Sequence, residues 1–450
     1  MGGAMFRRIL IANRGEVAAR VIKTCRRMGV QTVAVYSEPD ADLSYLKEAD
    51  EAVCIGGRRA YLDADAIIAA GLETRCAAVH PGWGFLSENA TFAARCEAAR
   101  LTFIGPRSID IRNMGDKTQA RRVISALGVP VVPGSEGHLS GPAEAAEVAE
   151  QIGYPVLLKA LSGGGGRGMR RVYSADGVGD AFLAASAEAL GAFSDGRMYM
   201  ERLIEGGRHI EFQVLSDGHR AVVLGERECS VQRRHQKLIE ESPSPVMTRD
   251  EVNEMGGIIA RAVAEMGYRG AGTIEMLRDA DGALYFMEMN TRLQVEHTIT
   301  EAVSGIDLVE QQLKIAANHP LDLSFVGTGH AIECRINAED PTRDFLPTPG
   351  TITHLKLPSG EGIRVDTHLR QGARISPHYD SMFAKIIAHG ATRAQAIARM
   401  IDALSATEVS GVSTTIPLHL AVLRHERFTS GNYDTRFLES TLSSLLGVKK

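Results

Sequence analysis

Along residues 6–114 short apolar runs alternate with stretches whose apolar positions recur every three or four residues. Residues 8–12 read as a buried strand, and Asn13-Arg14-Gly15 turns the chain into a helix with Val17, Ala18, Val21, Ile22, Cys25 and Met28 on one stripe. Further strands are expected at 31–36, 52–55 and 77–80. Strand–helix alternation of this kind predicts an α/β unit with a doubly wound parallel sheet. No G-x-G-x-x-G follows the first strand, so a dinucleotide site is not expected. The loop His80-Pro-Gly-Trp-Gly-Phe-Leu-Ser-Glu-Asn89 follows a strand's carboxyl end, where such sheets place ligands. Taken alone it is also compatible with an ordinary turn carrying a buried Trp83 and a Glu88 at a helix start.

The texture changes at residue 115. A helix opens at Gly115-Asp-Lys117, an extended segment covers 128–134, and a second helix is expected over 142–152. Strands at 154–159 and 168–173 flank the run Gly163-Gly-Gly-Gly-Arg-Gly168, with Lys159 ending the first. Glycines let the backbone approach a polyphosphate and turn N–H groups onto it. No Gly-Lys-Ser/Thr follows, so this is not a P-loop. Its place between two strands predicts a mobile phosphate-covering lid rather than a linker.

Farther on, 198–204 is apolar and 208–214 alternates as a strand. The charged stretch 226–237 brings Gln232, His235 and Lys237 close together; unless an anion binds there, it reads as a solvated edge strand or helix face. Two strand-like runs, 272–277 and 286–290, flank Asp281-Gly282, a two-residue hairpin signal. With that turn Ala280 pairs with Ala283, and Glu275 falls opposite Glu288. Alternation places Phe286, Glu288 and Asn290 on one face and Met287 and Met289 on the other. Facing carboxylates weaken a ladder, and with an amide oxygen beside them they suit Mg²⁺ bridged to phosphate. Arg292, Gln294, Glu296 and His297 follow within a few residues. A helix at 305–317, a strand at 330–337 carrying Glu333 and Arg335, short strands over 350–390 and a helix at 392–405 complete the pattern.

With 450 residues the chain needs more than one core, and limits are expected at 1–114, 115–203 and 204–450. A net charge of −5 without an acidic or basic tail gives no support for nucleic-acid or membrane-surface partners. Six scattered cysteines without a C-x-x-C pair indicate neither zinc nor a disulfide framework, consistent with a reducing cytoplasm. No apolar run approaches membrane-spanning length.

A glycine lid, two mid-chain lysines and a Glu…Glu-x-Asn hairpin form a kit for nucleotide-dependent phosphoryl transfer without a P-loop. At this point the chain resembles the biotin carboxylases of the ATP-grasp superfamily, from about residue 8 to residue 447. The resemblance rests on Ile11-Ala-Asn-Arg-Gly-Glu16, the 80–89 loop, the glycine run, Gln232-Arg-Arg-His-Gln-Lys237, Glu288-Met-Asn-Thr-Arg-Leu-Gln-Val-Glu-His297 and Glu333-Cys-Arg-Ile-Asn-Ala-Glu-Asp340. It implies an α+β ATP-grasp fold with an N-terminal parallel sheet, a mobile lid and a C-terminal antiparallel sheet. It also implies that Lys117, Lys159 and the lid glycines Gly164, Gly165 and Gly166 bind ATP phosphates. Glu201, Arg202, Leu203 and Ile204 would form the adenine-side hinge, and His209, Gln232, His235 and Leu277 would line the nucleotide. Glu275, Glu288 and Asn290 would hold Mg²⁺ or Mn²⁺. Lys237, Arg292, Gln294 and Val295 would hold bicarbonate, Glu296 would deprotonate it, and Arg335 would stabilise the biotin enolate, with Glu88 and Trp83 nearby. Arg292 beside Glu296 is expected to favour its anion.

Trp83 stands where the family commonly has Tyr, and Leu161-Ser162 where smaller residues are frequent; neither removes a charged group. Two rivals are another carboxyphosphate- or acyl-phosphate-forming ATP-grasp ligase and a silent ATP-binding scaffold subunit. Arg335 and the retained Lys, Glu and Arg set argue against both. No Met-Lys-Met signature occurs, so the resemblance implies biotin arriving on a separate carrier protein, a carboxyltransferase partner and a homodimer.

Overall fold

In a computed structural model, which describes residues 3–162 and 168–447, the first unit is a five-stranded parallel sheet. Its order is Glu51–Cys54, Gln31–Tyr36, Arg8–Ile11, Ala78–His80, Thr102–Phe103. The chain therefore winds in both directions from Arg8–Ile11, and a crevice opens where the order reverses. Helix Gly15–Met28 starts there on a glycine with φ +67° and buries Val17, Ala18, Val21, Ile22 and Cys25. Asn13 spans the crevice: its Nδ2 donates to the carbonyls of Pro81 at 2.6 Å and Trp83 at 2.8 Å. The 80–89 loop is thus tied to the first strand.

A second sheet has eight strands, all antiparallel. Its order is Leu284–Asn290, Arg269–Arg278, Arg208–Asp217, Ala221–Arg233, Gln236–Ser242, His330–Asn337, Met382–Gly390, Ile363–Thr367. The stretch 226–237, expected at an edge or on a solvated face, instead fills two inner strands; Glu226, Arg227 and Glu228 are buried. Its neighbours cover it on both sides, so its charges must find partners inside. A smaller sheet of Met169–Val172, Val156–Ala160 and Met198–Arg202 carries helices Pro142–Ile152 and Val178–Phe193 and has a core of its own. The glycine run expected as the lid, with Gly164, Gly165 and Gly166, lies outside the described residues. Helices Val178–Phe193, Arg249–Glu265 and His297–Ser304 have no counterpart in the sequence reading. No helix among the described residues is long and apolar enough to cross a membrane.

The hairpin at the sheet edge departs from its expected form in two ways. The turn is a three-residue loop, Ala280 to Gly282, closed between Asp279 and Ala283, with Gly282 at φ +92°. Ala280 therefore does not pair with Ala283. The Asp279 side chain accepts from the N–H groups of Asp281 and Ala283, which favours this wider loop. From Arg278↔Leu284 to Met276↔Phe286 the register is one residue off the expected one, and a bulge at Met287 restores it at Glu275↔Glu288. The bulge also reverses the alternation. Phe286 joins Met289, Ile274 and Met276 in the core, not Glu288 and Asn290 on the other face. Exposed Met287 is the extra residue.

Gly270 is where the large sheet meets the parallel unit. Its φ is +115°, and a Cβ there would stand 3.2 Å from the Gly105 carbonyl carbon and 3.3 Å from the Pro106 nitrogen. Gly270→Ala is expected to cost about 1–3 kcal/mol through backbone strain and this backbone-to-backbone crowding. Calorimetry should show a lower first melting transition; an unchanged thermogram would mean that this junction yields freely.

Candidate active site

Lys237 sits two residues past the hairpin turn at Arg234 and His235, both with positive φ. That turn sends His235 to the exposed tip and the Lys237 side chain inward. Its Nζ lies 2.5 Å from Glu211 Oε2, 2.9 Å from Glu275 Oε1 and 2.6 Å from Glu296 Oε1. Three carboxylates from three elements converge on one ammonium. Burial opposes its charge, but these anions win and hold its pKa well above the usual lysine value.

Below it lies Arg227, with no exposed side-chain surface. Its five N–H donors find five acceptors: Nε to Glu211 at 2.5 Å, one terminal nitrogen to Gln213 at 2.7 Å and Thr300 at 2.9 Å, and the other to Thr273 at 3.2 Å and Gln294 at 2.6 Å. Every donor of the guanidinium is therefore used. Glu211 bridges the two cations, giving one oxygen to Arg227 and the other to Lys237.

Glu275 is the second junction. Its Oε1 accepts from Lys237, from Asn290 Nδ2 at 2.9 Å and from Gln294 Nε2 at 2.8 Å, while Oε2 lies 3.0 Å from His209 Nε2. Burial raises the Glu275 pKa, yet Lys237 and His209 outweigh it and keep the carboxylate ionised. Across the ladder Glu288 behaves oppositely: burial, then the Glu275 charge, push its pKa up. Two carboxylates under such mutual strain, with Asn290 beside them, are a donor set that a hard divalent cation relieves. Among the described residues, the groups with three possible ligand atoms within 4.8 Å of one another are His209–Glu211–Glu275 and Glu211–Cys229–Glu296, and neither includes Glu288. Lys237 supplies the positive charge at the first two carboxylates.

Glu296 caps helix His297–Ser304 and is fully enclosed. Burial again opposes its charge, but Lys237, Arg335 and Arg227 hold it far below the carboxylate range. Arg335 donates from Nε to Glu240 at 2.6 Å and from a terminal nitrogen to Glu296 at 3.1 Å. Arg292 is not the cation beside Glu296. It donates from Nε to Glu88 at 2.7 Å and from a terminal nitrogen to Asn290 at 2.8 Å. Glu88 precedes the helix cap Asn89, and its carboxylate also accepts the Thr291 N–H at 2.9 Å. The reading of Glu88 as a plain helix-start residue therefore gives way to a tie between the parallel unit and the site.

Two cavities flank this cluster. One, of about 540 Å³, is lined by Lys117, Arg121, Lys159, Tyr199, Glu201 and Glu288, among others. Lys159 is paired with Glu201, and the following backbone is anchored by Leu203 N–H to the Pro155 carbonyl at 2.8 Å. Arg202 reaches across to Tyr285 at 2.7 Å, and Ile204 ends this segment half-buried. Leu277 pairs with His209, and Gln232 with Lys237, on adjoining strands. A cavity walled by four cations, Lys117, Arg121, Arg122 and Lys159, with Glu288 at one side, fits a polyphosphate and its divalent metal. The other cavity, of about 400 Å³, is lined by Trp83, Lys237, Val295, Arg335, Tyr379 and Asp380, among others. Lys237 of this cavity holds Glu275, which lies across the ladder from Glu288 of the first. Among the described residues expected at the site, His235 stands apart, on its exposed turn.

Glu211, Arg227 and Gln213 went unread in the sequence. Glu211 lies in a run that alternates like any strand, and Arg227 in one that looks solvated. The available signal was the density of charge in 226–237 next to a strand as apolar as 221–225.

Comparison with known proteins covers nearly the whole chain. Residues 5–111 match the model of the biotin carboxylase N-terminal domain, 116–324 that of the carbamoyl-phosphate synthase L chain ATP binding domain, and 333–440 that of the biotin carboxylase C-terminal domain. Biotin carboxylase of Haemophilus influenzae is 49% identical over 446 residues, 97% of this chain and 99% of that protein. The 2-oxoglutarate carboxylase small subunit of Hydrogenobacter thermophilus is 46% identical, over 97% of this chain and 93% of that one. The biotin carboxylase–β,γ-ATP complex from Campylobacter jejuni superposes with a TM-score of 0.92 at 45% identity, covering 97% and 99% of the two chains. The biotin carboxylase domain dimer of the Hydrogenobacter enzyme, solved with MgADP, ADP and bicarbonate, gives 0.92 at 45% identity over 98% and 99%.

Arg227→Met removes five hydrogen bonds and leaves Glu211 and Gln294 facing an apolar chain. Stability is expected to fall by about 3–5 kcal/mol, as when one partner of a buried ion pair is removed. Denaturant titration reads this directly; a loss below about 1 kcal/mol would show that the acceptors find other partners.

Proposed function

The chain belongs to the biotin carboxylase family, and from that premise we propose that it carboxylates biotin on a carrier protein, using ATP and bicarbonate, as the first half of an acyl-CoA or related carboxylation. The observation that carries the reading is Glu296. One buried carboxylate is gripped by Lys237 and Arg335, which line a cavity fit for a small planar substrate, and Lys237 in turn holds Glu275, the ladder partner of Glu288 in the cavity fit for a nucleotide.

In this reading Lys117 and Lys159 hold the ATP phosphates as compact point charges, aided by the lid glycines Gly164, Gly165 and Gly166. Glu201 to Ile204 border the adenine, and His209, Gln232, His235 and Leu277 line the rest of the nucleotide. Glu275, Glu288 and Asn290 hold Mg²⁺ or Mn²⁺, which when bound neutralises charge on the β- and γ-phosphates. Lys237, Gln294, Arg292 and the Val295 N–H hold bicarbonate against Glu296. As bicarbonate draws Lys237 away from Glu296, that carboxylate loses part of the charge that depresses its basicity and takes the substrate proton. The freed oxyanion attacks the γ-phosphoryl group, ADP leaves, and carboxyphosphate forms. Its breakdown gives CO₂ and phosphate; the phosphate takes the ureido proton, and Arg335 stabilises the biotin enolate that attacks CO₂. Trp83 and Glu88 shape the biotin end.

The carrier and the carboxyltransferase would be separate chains, and the solved dimer of the Hydrogenobacter relative supports a homodimer for this one. The domain limits 1–114, 115–203 and 204–450 fit this division of labour: crevice, lid, and sheet with metal and base. A reducing cytoplasm suits six cysteines that are all free.

Bicarbonate-dependent ATP cleavage, measured with and without free biotin, tests the assignment; turnover indifferent to both would sink it. Glu288→Ala is expected to cut metal-dependent turnover by about 100-fold or more without lowering the melting temperature. Arg335→Ala should leave bicarbonate-dependent ATP cleavage largely intact while biotin carboxylation falls about 100-fold. Equal loss of the two activities would remove the division of roles between Glu296 and Arg335.

A further inference from the structure

The Asn13-Arg14-Gly15-Glu16 motif is spent only in part by the fold. Asn13 ties two loops, and Arg14 donates to Asp40 at 2.6 and 2.8 Å. Glu16 has no such employment. It is 3% exposed, and neither carboxylate oxygen has a hydrogen bond. What stands nearest is Lys385, wholly buried, with Nζ 3.4 Å from Glu16 Oε1. Lys385 lies on Met382–Gly390 directly across from Arg335, and its one hydrogen bond goes to the Val295 carbonyl at 2.6 Å.

That carbonyl belongs to the peptide joining Val295 to Glu296. The preceding carbonyl, of Gln294, accepts from His297 Nδ1 at 2.8 Å. Burial and the nearby charge of Lys385 keep His297 neutral. The two peptides leading into Glu296 are therefore each fixed from below by a buried side chain.

Other anions face Lys385. Asp366 takes both arms of Arg364, at 2.9 and 2.5 Å, while Glu333 accepts from Thr298 with one oxygen and its Oε1 has no hydrogen bond. Arg20 and Arg364 complete the surrounding charges. Glu16 is the carboxylate within ion-pair distance of Lys385, and it comes from the parallel unit rather than from the large sheet. Burial pushes its pKa up to about 7 even against Lys385, with Asp366 and Glu333 adding to the rise.

We propose that Lys385, steered by Glu16, is a positioning residue for bicarbonate activation: it fixes the Val295–Glu296 peptide and so makes the N-terminal unit part of that half-site. The proposal rests on the reading of residues 292–296 as the bicarbonate segment. It concerns order rather than chemistry, so it acts on bicarbonate and leaves ATP binding alone.

Steady-state ATP cleavage at varied bicarbonate and varied ATP, together with melting curves, tests it on the full chain. Lys385→Met should raise KM for bicarbonate about 10- to 100-fold, the loss of one charged hydrogen bond, with KM for ATP within about twofold. Glu16→Gln keeps the shape and removes the charge; it should raise KM for bicarbonate about three- to tenfold with the melting temperature kept. Should Lys385→Met fail to fold, Glu16→Gln decides alone. An unchanged KM for bicarbonate in a folded variant overturns the proposal, as does an equal change in both KM values. Wild-type turnover that ignores bicarbonate would instead overturn the function assigned above.

Discussion

Burying a cation in the middle of a β-sheet is costly unless every donor is met, and this fold buries two beside each other. Arg227 and Lys237 share Glu211, and through it the strands Arg208–Asp217, Ala221–Arg233 and Gln236–Ser242 must keep their mutual positions. The requirement reaches further. Arg227 also needs Thr273 from the next strand, Gln294 from the loop after the hairpin and Thr300 from the following helix. One guanidinium thus fixes five segments relative to one another. Such arrangements are weak evidence of stability, since apolar packing often does better. Here they fix the places of groups that must later meet substrates.

The charge state of the site follows from the same network. Glu275 and Glu296 stay ionised in spite of burial because Lys237 serves both. Glu288, outside the reach of that ammonium, is left with a raised pKa and an unmet need for a cation. In the function proposed above, the site therefore separates into a half for metal and nucleotide and a half for a small anion. Lys237 is the hinge of charge between them: any anion that engages it changes the basicity of Glu296. Arg292, by contrast, is held by Glu88 at the rim and links the parallel unit to the mouth of the site.

The Glu275–Glu288 pair shows how a correct outcome can rest on two offsetting departures. Counting from a two-residue turn placed these carboxylates opposite each other, and they are opposite. Yet the turn has three residues, and Met287 bulges to absorb the difference. What selects this arrangement is packing. Phe286 and Met289 must both face the core formed with Ile274 and Met276, and strict alternation would have left one of them outside. The bulge satisfies the core and still sets Glu275 opposite Glu288.

Local patterning is strong where an element buries one face, so the parallel unit, the amphipathic helix Gly15–Met28 and the hairpin were legible as elements, and the motif residues Lys237, Glu275, Glu288, Glu296 and Arg335 as a set. Side-chain identity and spacing are properties of the chain itself. What only the tertiary structure decided was which groups touch. The stretch 226–237 reads as solvated because charge usually seeks water, and it is inner sheet because partners from four other segments replace that water. The cation at Glu296 proved to be Lys237 with Arg335 rather than its sequence neighbour Arg292, and Glu16 found Lys385 some 370 residues away. Electrostatic interaction falls with distance in space and takes no account of distance along the chain. The sequence therefore determined the inventory of charges, and the folded sheet determined their pairing.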